Sequence, residues 1–331
     1  MSESTALGGG GYSLVPAATI ARQARDVRRL LQLALAAVWL LDGILQFQPY
    51  MFTKDFATQT LATTAQGNPA LIAHPITWAA GVVAHHPVGT NAAFATVQLL
   101  LGLGIAWRPT LKPALAASIA WSLAVWWLGE GLGGLLNGTA SPVNGAPGAV
   151  ILYALLAVLL WPAERRGGRG VTPSRFVAER PVGAPRARAL WLMLWGSEAY
   201  FAVQSGDRSP QGLHDMIAQM ASGQPGWLSW IEKHTADLVA HQGLAAATTL
   251  AVLLGAVAIS VFLPAPFTRV AIALALVLAA VIWITGEALG GIFTGQGTDP
   301  NSGPLLALFA LAYWPSTTER PAAPRDEPPT T

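Results

Sequence analysis

The sequence predicts an all-α polytopic membrane protein, with eight transmembrane helices arranged as two parallel-repeat four-helix bundles. Three observations predict it. Of 331 residues, 53% are hydrophobic and only 11% charged, against roughly 25% charged in a soluble domain, and the mean hydropathy is +0.45. Apolar runs recur at lengths near the roughly 20 residues that cross a bilayer core. The chain also repeats itself at a nearly constant offset. The same composition excludes a soluble enzyme, a collagenous or disordered chain, and nucleic-acid binding as the main task. With 19 basic and 17 acidic residues the net charge is only +2. Cys is absent, which removes disulfides, thiolate metal sites and Cys nucleophiles.

The candidate spans, in order, cover residues 30–50, 91–107, 113–136, 148–162, 189–205, 244–263, 270–293 and 303–315. Ahead of the first stands a basic cluster, Arg22, Arg25, Arg28 and Arg29. It resembles a signal-peptide n-region, but the long apolar stretch behind it reads as an uncleaved anchor. Eight spans place both termini on one side. Sixteen Lys and Arg residues, from Arg22 through Lys112 and Arg175 to Arg325, fall on that side, and three (Lys54, Arg208, Lys233) on the other. Positively charged loops stay cytoplasmic, so both termini are assigned to the cytoplasm and the protein to the cell membrane. The domain plan is a cytoplasmic tail (1–29), a first membrane repeat (30–162), a linker (163–188), a second repeat (189–315) and a C-terminal tail (316–331). The linker and tails are rich in Gly, Pro and Arg and bury too little apolar surface to order themselves.

The duplication is read from matched segments. Val83-Ala84-His85-His86 matches Val239-Ala240-His241-Gln242 at an offset of 156, as do Gly67-Asn68-Pro69 with Gly223-Gln224-Pro225 and Asp42 with Glu198. Gly129-Glu130-Gly131-Leu132-Gly133-Gly134 matches Gly286-Glu287-Ala288-Leu289-Gly290-Gly291 at 157, followed by Asn144 with Asn301 and Pro147 with Pro304. Four spans per repeat insert both copies the same way up. Between the first two spans of each half lies a long outer segment. Leu213, Met216, Ile217 and Met220 follow helical spacing, and Trp227, Trp230, Ile231, Leu238 and Val239 continue it. These segments read as amphipathic helices at the outer membrane face, with Trp78 in the matching place.

Four acids fall within the expected spans: Asp42, Glu130, Glu198 and Glu287. An acid at the bilayer centre costs about 2.5–3.5 kcal/mol even on a lenient scale, so such groups face the bundle interior and take partners. His85 and His241 stand just before the second span of each half. Two trios, Asp42–His85–Glu130 and Glu198–His241–Glu287, are therefore candidate sites near the outer face. Two carboxylates and an imidazole suit a divalent cation such as Fe(II), Mn(II) or Zn(II), and equally a proton relay or a hydrogen-bonded quinone headgroup. The plainer alternative is that each acid is bonded to the next helix. Trp126 and Trp283, beside the glutamates, are candidate walls for a flat ligand or part of the core. Gly129-xxx-Gly133 and Gly286-xxx-Gly290 read as small-residue stripes for close helix packing. Asn137-Gly138-Thr139 fits a glycosylation sequon.

Four spans per unit, a Gly-containing first helix and a second helix reading Gln98-Leu-Leu-Leu-Gly102-Leu-Gly104 resemble the DoxX/DoxD-like membrane family, here as two tandem units. The resemblance implies a quinone-linked redox accessory, as in thiosulfate:quinone oxidoreductase subunits. In that family the second helix carries Glu where this chain has Gln98. Taken together, the expected function is a quinone- or metal-binding redox accessory in the lipid bilayer. The alternatives are a proton- or metal-coupled transporter and a non-catalytic scaffold within a membrane protein complex.

Overall fold

The computed structural model describes residues 17–162 and 174–315, with side chains from Asp26 onward. The tails beyond these limits and Arg165, Arg166 and Arg169 of the linker lie outside the described residues. Among those described, every regular element is helical. In the N-terminal half α1 (Ala17–Leu45) leads through short turns (Pro49–Phe52, Phe56–Leu61, Ala62–Ala65) to α2 (Ala70–His85), α3 (Pro87–Ala106), α4 (Leu111–Leu128) and α5 (Ala149–Leu159). The C-terminal half runs α6 (Glu179–Val182), α7 (Ala184–Phe201), α8 (Ser205–Arg208), α9 (Gly212–Met220), α10 (Gly226–Val239), α11 (Gly243–Ile259), α12 (Ala265–Val281) and α13 (Ser302–Ala312).

Among the described residues, four helices are long and apolar enough to cross a membrane: Pro87–Ala106, Arg108–Leu128, Gly243–Phe262 and Ala265–Gly286. Protein covers only 28–33% of each. The remainder shows large apolar side chains outward, among them Leu100 and Leu103 on α3 and Phe267, Val270 and Val277 on α12, a pattern stable in lipid rather than water. By contrast α5 and α13 have 11 residues each, about 16 Å at 1.5 Å per residue. That falls short of a hydrocarbon core roughly 30 Å thick. They are apolar because they form the middle of the protein: Leu152, Tyr153, Leu156, Leu305, Leu306 and Phe309 are fully buried, and the two helices pack on each other.

The polar stretches depart from expectation at three places. Helix α1 begins at Ala17, inside the stretch assigned to a tail, and the Arg29 guanidinium reaches the Ile105 and Ala106 carbonyls at the end of α3. Residues 174–188 are folded rather than a loose linker. Phe176, Val177 and Ala178 are buried in the core, the Ala178 amide donates to the Ala312 carbonyl at 3.0 Å, and Glu179 accepts from the Arg175 and Phe176 amides. An apolar triplet within a polar stretch is enough to dock it. The helical spacing of 213–239 is realised in α9 and α10, but α10 buries Leu228, Glu232 and Ala236 while Trp227 and Trp230 face outward. On α2, Trp78 is likewise exposed.

The third expected span of each half also ends early. Leu132 and Gly133 (φ 59° and 62°) and Leu289 and Gly290 (φ 57° and 75°) sit in left-handed backbone, so the Gly-rich stretches turn the chain. They are not helix-packing stripes. A Cβ on Gly133 would lie 2.0 Å from the Pro147 carbonyl oxygen, which leaves room only for Gly. Close helix approach occurs instead at Gly102 of α3, where a Cβ would meet Leu40 of α1 at 2.6 Å.

Beyond these turns each half sends a non-helical loop into the other. Val143 joins a buried cluster with Leu213, Ile217, Ala236 and Ala247 of the C-terminal half, and the Ser141 hydroxyl donates to Asp207 at 2.8 Å. In return, Gln46 and Gln48 at the end of α1 donate to the Thr298 and Gly297 carbonyls at 3.3 and 3.1 Å. A Cβ on Gly286 would lie 2.6 Å from the Val143 carbonyl oxygen. Gly286→Ala is therefore expected to destabilise the protein by about 1–3 kcal/mol through overpacking, seen as a lower thermal midpoint in detergent. Gly81→Ala, on α2 with nothing within 4 Å of its Cβ, is the control expected to leave the midpoint unchanged.

Candidate functional site

A partly open chamber of about 250 Å³ lies in the N-terminal half, between α1, α3 and α4. Its walls are aromatic: Trp39 from α1, Phe56, Phe94 from α3 and Trp121 from α4. Phe94 and Trp121 meet edge to face with ring centroids 5.7 Å apart, and the Trp39 indole donates to Ser118 at 3.0 Å, so the walls are held in place. Three carboxyl groups reach the lining: Asp42, Glu130 and, from the inserted loop of the other half, Asp299. Among the described residues, no Lys, Arg or His lines the chamber. A second, polar hollow of about 340 Å³ adjoins it, lined by Ser141, Asn144, Asn301 and the same Glu130 and Asp299. Gly129, Glu130, Thr298 and Asp299 line both spaces.

Each acid has a distinct environment. Asp42 is 2% exposed; one oxygen accepts from the Tyr153 hydroxyl of α5 and Oδ1 has no partner. Glu130 stands just past α4, and its Oε1 accepts from the Val150 amide at 3.1 Å. Glu287 does the same past α12, accepting from the Gly303 amide at 3.1 Å and from the Ser302 hydroxyl. Both glutamates thus cap the start of the following short helix, where free amides and the helix dipole favour an anion. Asp299 accepts from the Asn301 amide and the Thr298 hydroxyl, each at 2.7 Å. Glu198 is 1% exposed with neither oxygen partnered.

The expected trios are not assembled. His85 is exposed, with Nδ1 2.7 Å from the Gly81 carbonyl of its own helix, and it does not line the chamber that holds Asp42 and Glu130. His241 is exposed beside Gln211. Among the described residues, no group of three or more His, Asp and Glu is placed to hold a metal ion. The histidines end at the surface because the turns around α2 and α10 carry them over the bundle, not into it. Trp126 and Trp283 are not chamber walls either. Their indoles donate to the Pro147 and Pro300 carbonyls at 2.7 and 2.6 Å, fastening the inserted loops.

Asp299, Gln46 and Trp121 carry the site without having been singled out in the sequence. Asp299 sits in a stretch, Thr298-Asp299-Pro300-Asn301, that reads as an ordinary polar turn. Only its insertion across halves gives it a role. Compared with known proteins, the chain matches no family model, no curated protein and no solved structure.

Two acids outside the apolar helices give the fold a pH signature. Burial raises Asp207 to about 6, opposed by the hydrogen bond from Ser141, and burial raises Glu232 to about 7. Each binds its proton more tightly folded than unfolded, where a carboxyl titrates near 4. Between about pH 4 and 7 the folded state holds more protons, so stability falls as pH rises and levels off above about 7. Glu232→Gln is expected to flatten the upper part of that fall and raise the thermal midpoint at pH 8. Thermal unfolding from pH 4.5 to 8 checks it, and an unchanged slope would show that Glu232 contributes nothing.

Proposed function

We propose that this is a multi-pass cell-membrane protein of two tandem four-helix units, both termini cytoplasmic, that binds a small organic molecule in the chamber and moves it in exchange for protons. The tandem-unit reading is supported by the sequence repeat and by the like roles of Glu130 and Glu287 at the starts of α5 and α13. In an eight-span arrangement the short helices are shielded from lipid by the longer ones. Non-helical backbone at membrane depth is then acceptable because it is buried in protein. The orientation rests on the Lys/Arg asymmetry of the loops. It places α2 and α10, with exposed Trp78, Trp227 and Trp230, at the outer interface that such aromatics favour.

The single observation that carries the transport reading is that Glu130 and Asp299 line both the aromatic chamber and the polar hollow. A ligand or proton passing between the two spaces must pass these carboxyl groups. A second reading, a quinone-binding redox accessory, draws on the aromatic walls and the unpartnered Trp121 indole N–H, a donor suited to a quinone carbonyl. A metal cofactor gains no support from side chains that stand apart.

Reconstitution into vesicles separates the two. With a proton gradient imposed, uptake of small aromatic solutes is expected, and Asp299→Asn is expected to lower the rate by about tenfold or more, the scale on which a buried charged hydrogen bond counts. Uptake that ignores both the gradient and the Asp299 variant would remove the transport reading. Stoichiometric quinone in the protein extracted from its native membrane would favour the second.

A further inference from the structure

We infer that the chamber's ligand is a small organic monocation, a protonated amine carried on an aromatic or compact apolar body. The inference rests on the chamber being the ligand site and adds the chemical class of what it holds. Four aromatic rings wall a space of about 250 Å³, and ring faces attract a cation. The buried polar atoms left without partners among the lining residues are mostly acceptors: Asp42 Oδ1, Gln46 Oε1 and Gln98 Oε1, with Trp121 Nε1 as a buried donor. Asp42 and Gln46 are 2% and 3% exposed, so solvent does not satisfy them. A buried acceptor left unpaired is costly, and an ammonium group brings three donors and no acceptor, which is the complement of this lining. A quinone, with two carbonyl acceptors, would leave most of these oxygens unpaired. An anion would face three carboxyl groups with no cationic side chain to receive it.

The adjoining polar hollow has the same character, since Glu130 and Asp299 line it as well. In the C-terminal half, Val143 fills the space among α9, α10 and α11, so one ligand is held per chain. Asp299, borne by the C-terminal half, completes the site in the N-terminal one.

The test is titration calorimetry on the full chain in lipid nanodiscs at pH 7, with benzylammonium, benzyl alcohol, benzoate and menadione as probes. Benzylammonium is expected to bind one per chain, with benzyl alcohol and menadione at least about tenfold weaker and benzoate without measurable binding. Asp42→Asn is expected to weaken benzylammonium by about tenfold or more while leaving benzyl alcohol unchanged. Gln46→Leu gives the same reading in smaller degree should Asp42→Asn fail to fold. Glu232→Gln, away from the chamber, is the control expected to bind as wild type. If benzyl alcohol or menadione binds as tightly as benzylammonium, the cation assignment fails and the chamber stands. Val83→Trp, which adds bulk at a buried position of the chamber's lining, is expected to abolish binding of every probe. Binding that survives it, or no binding by any probe, overturns both the cation assignment and the chamber as the ligand site.

Discussion

Backbone amides and carbonyls buried away from water must find partners, and that constraint governs how the two halves of this protein meet. Each half contains a stretch of irregular chain, 129–148 and 287–301, that leaves a long apolar helix and must enter a short one. Such chain is not stable against lipid. Here it is stable because each stretch is taken up by the other half. Across the halves, Gln46 and Gln48 donate to the Thr298 and Gly297 carbonyls and Val143 supplies an apolar anchor in the C-terminal half; within each half, Trp126 and Trp283 fasten the loop through the Pro147 and Pro300 carbonyls. The short buried helices α5 and α13 follow from this. With the loops filling part of the depth, 11 residues each suffice to complete the packing.

The four acids on or beside the apolar helices divide by the same logic. Glu130 and Glu287 are bonded to the first turns of α5 and α13, a stabilising use of a carboxylate that needs no ligand. Glu287, with hydrogen bonds to both oxygens, is fully used in this way. Glu130 is used twice, as a cap and as part of the chamber wall. Asp42 is held on one side by Tyr153 and open on the other, so it is the acid best placed to meet a ligand. Glu198, the sequence counterpart of Asp42, has no partner for either oxygen, and its surroundings give no reason for a charge there. The two halves therefore differ in how they use their acids.

Most of that divergence comes from what each inserted loop brings with it. The loop entering the N-terminal half presents Thr298 and Asp299 to an aromatic space and leaves it open. The loop entering the C-terminal half presents Val143 and packs it among α9, α10 and α11. A polar insertion beside rings yields a cavity that favours a cationic guest, whereas an apolar one yields a core.

Composition and apolar run length determined the helical class and the lipid setting, since a chain with so few charges cannot cover a water-facing surface of this size. Helical spacing determined α9 and α10, and the repeated Gly-Glu-x-Leu-Gly-Gly pattern marked the two places where long helices end. What the sequence could not determine was which side chains meet. Apolar runs look alike whether they face lipid or protein, so nothing in the runs of α5 and α13 marked these helices as short and wholly buried in protein. His85, His241, Trp126 and Trp283 lie near the acids along the chain, but the turns beside them carry them to the surface or into loop fastening. Asp299 lies more than 250 residues from Asp42 in sequence, and no local pattern records a loop crossing from one half to line a cavity in the other. Tertiary structure alone decided that pairing, because it depends on how two surfaces fit and not on the spacing of residues within either.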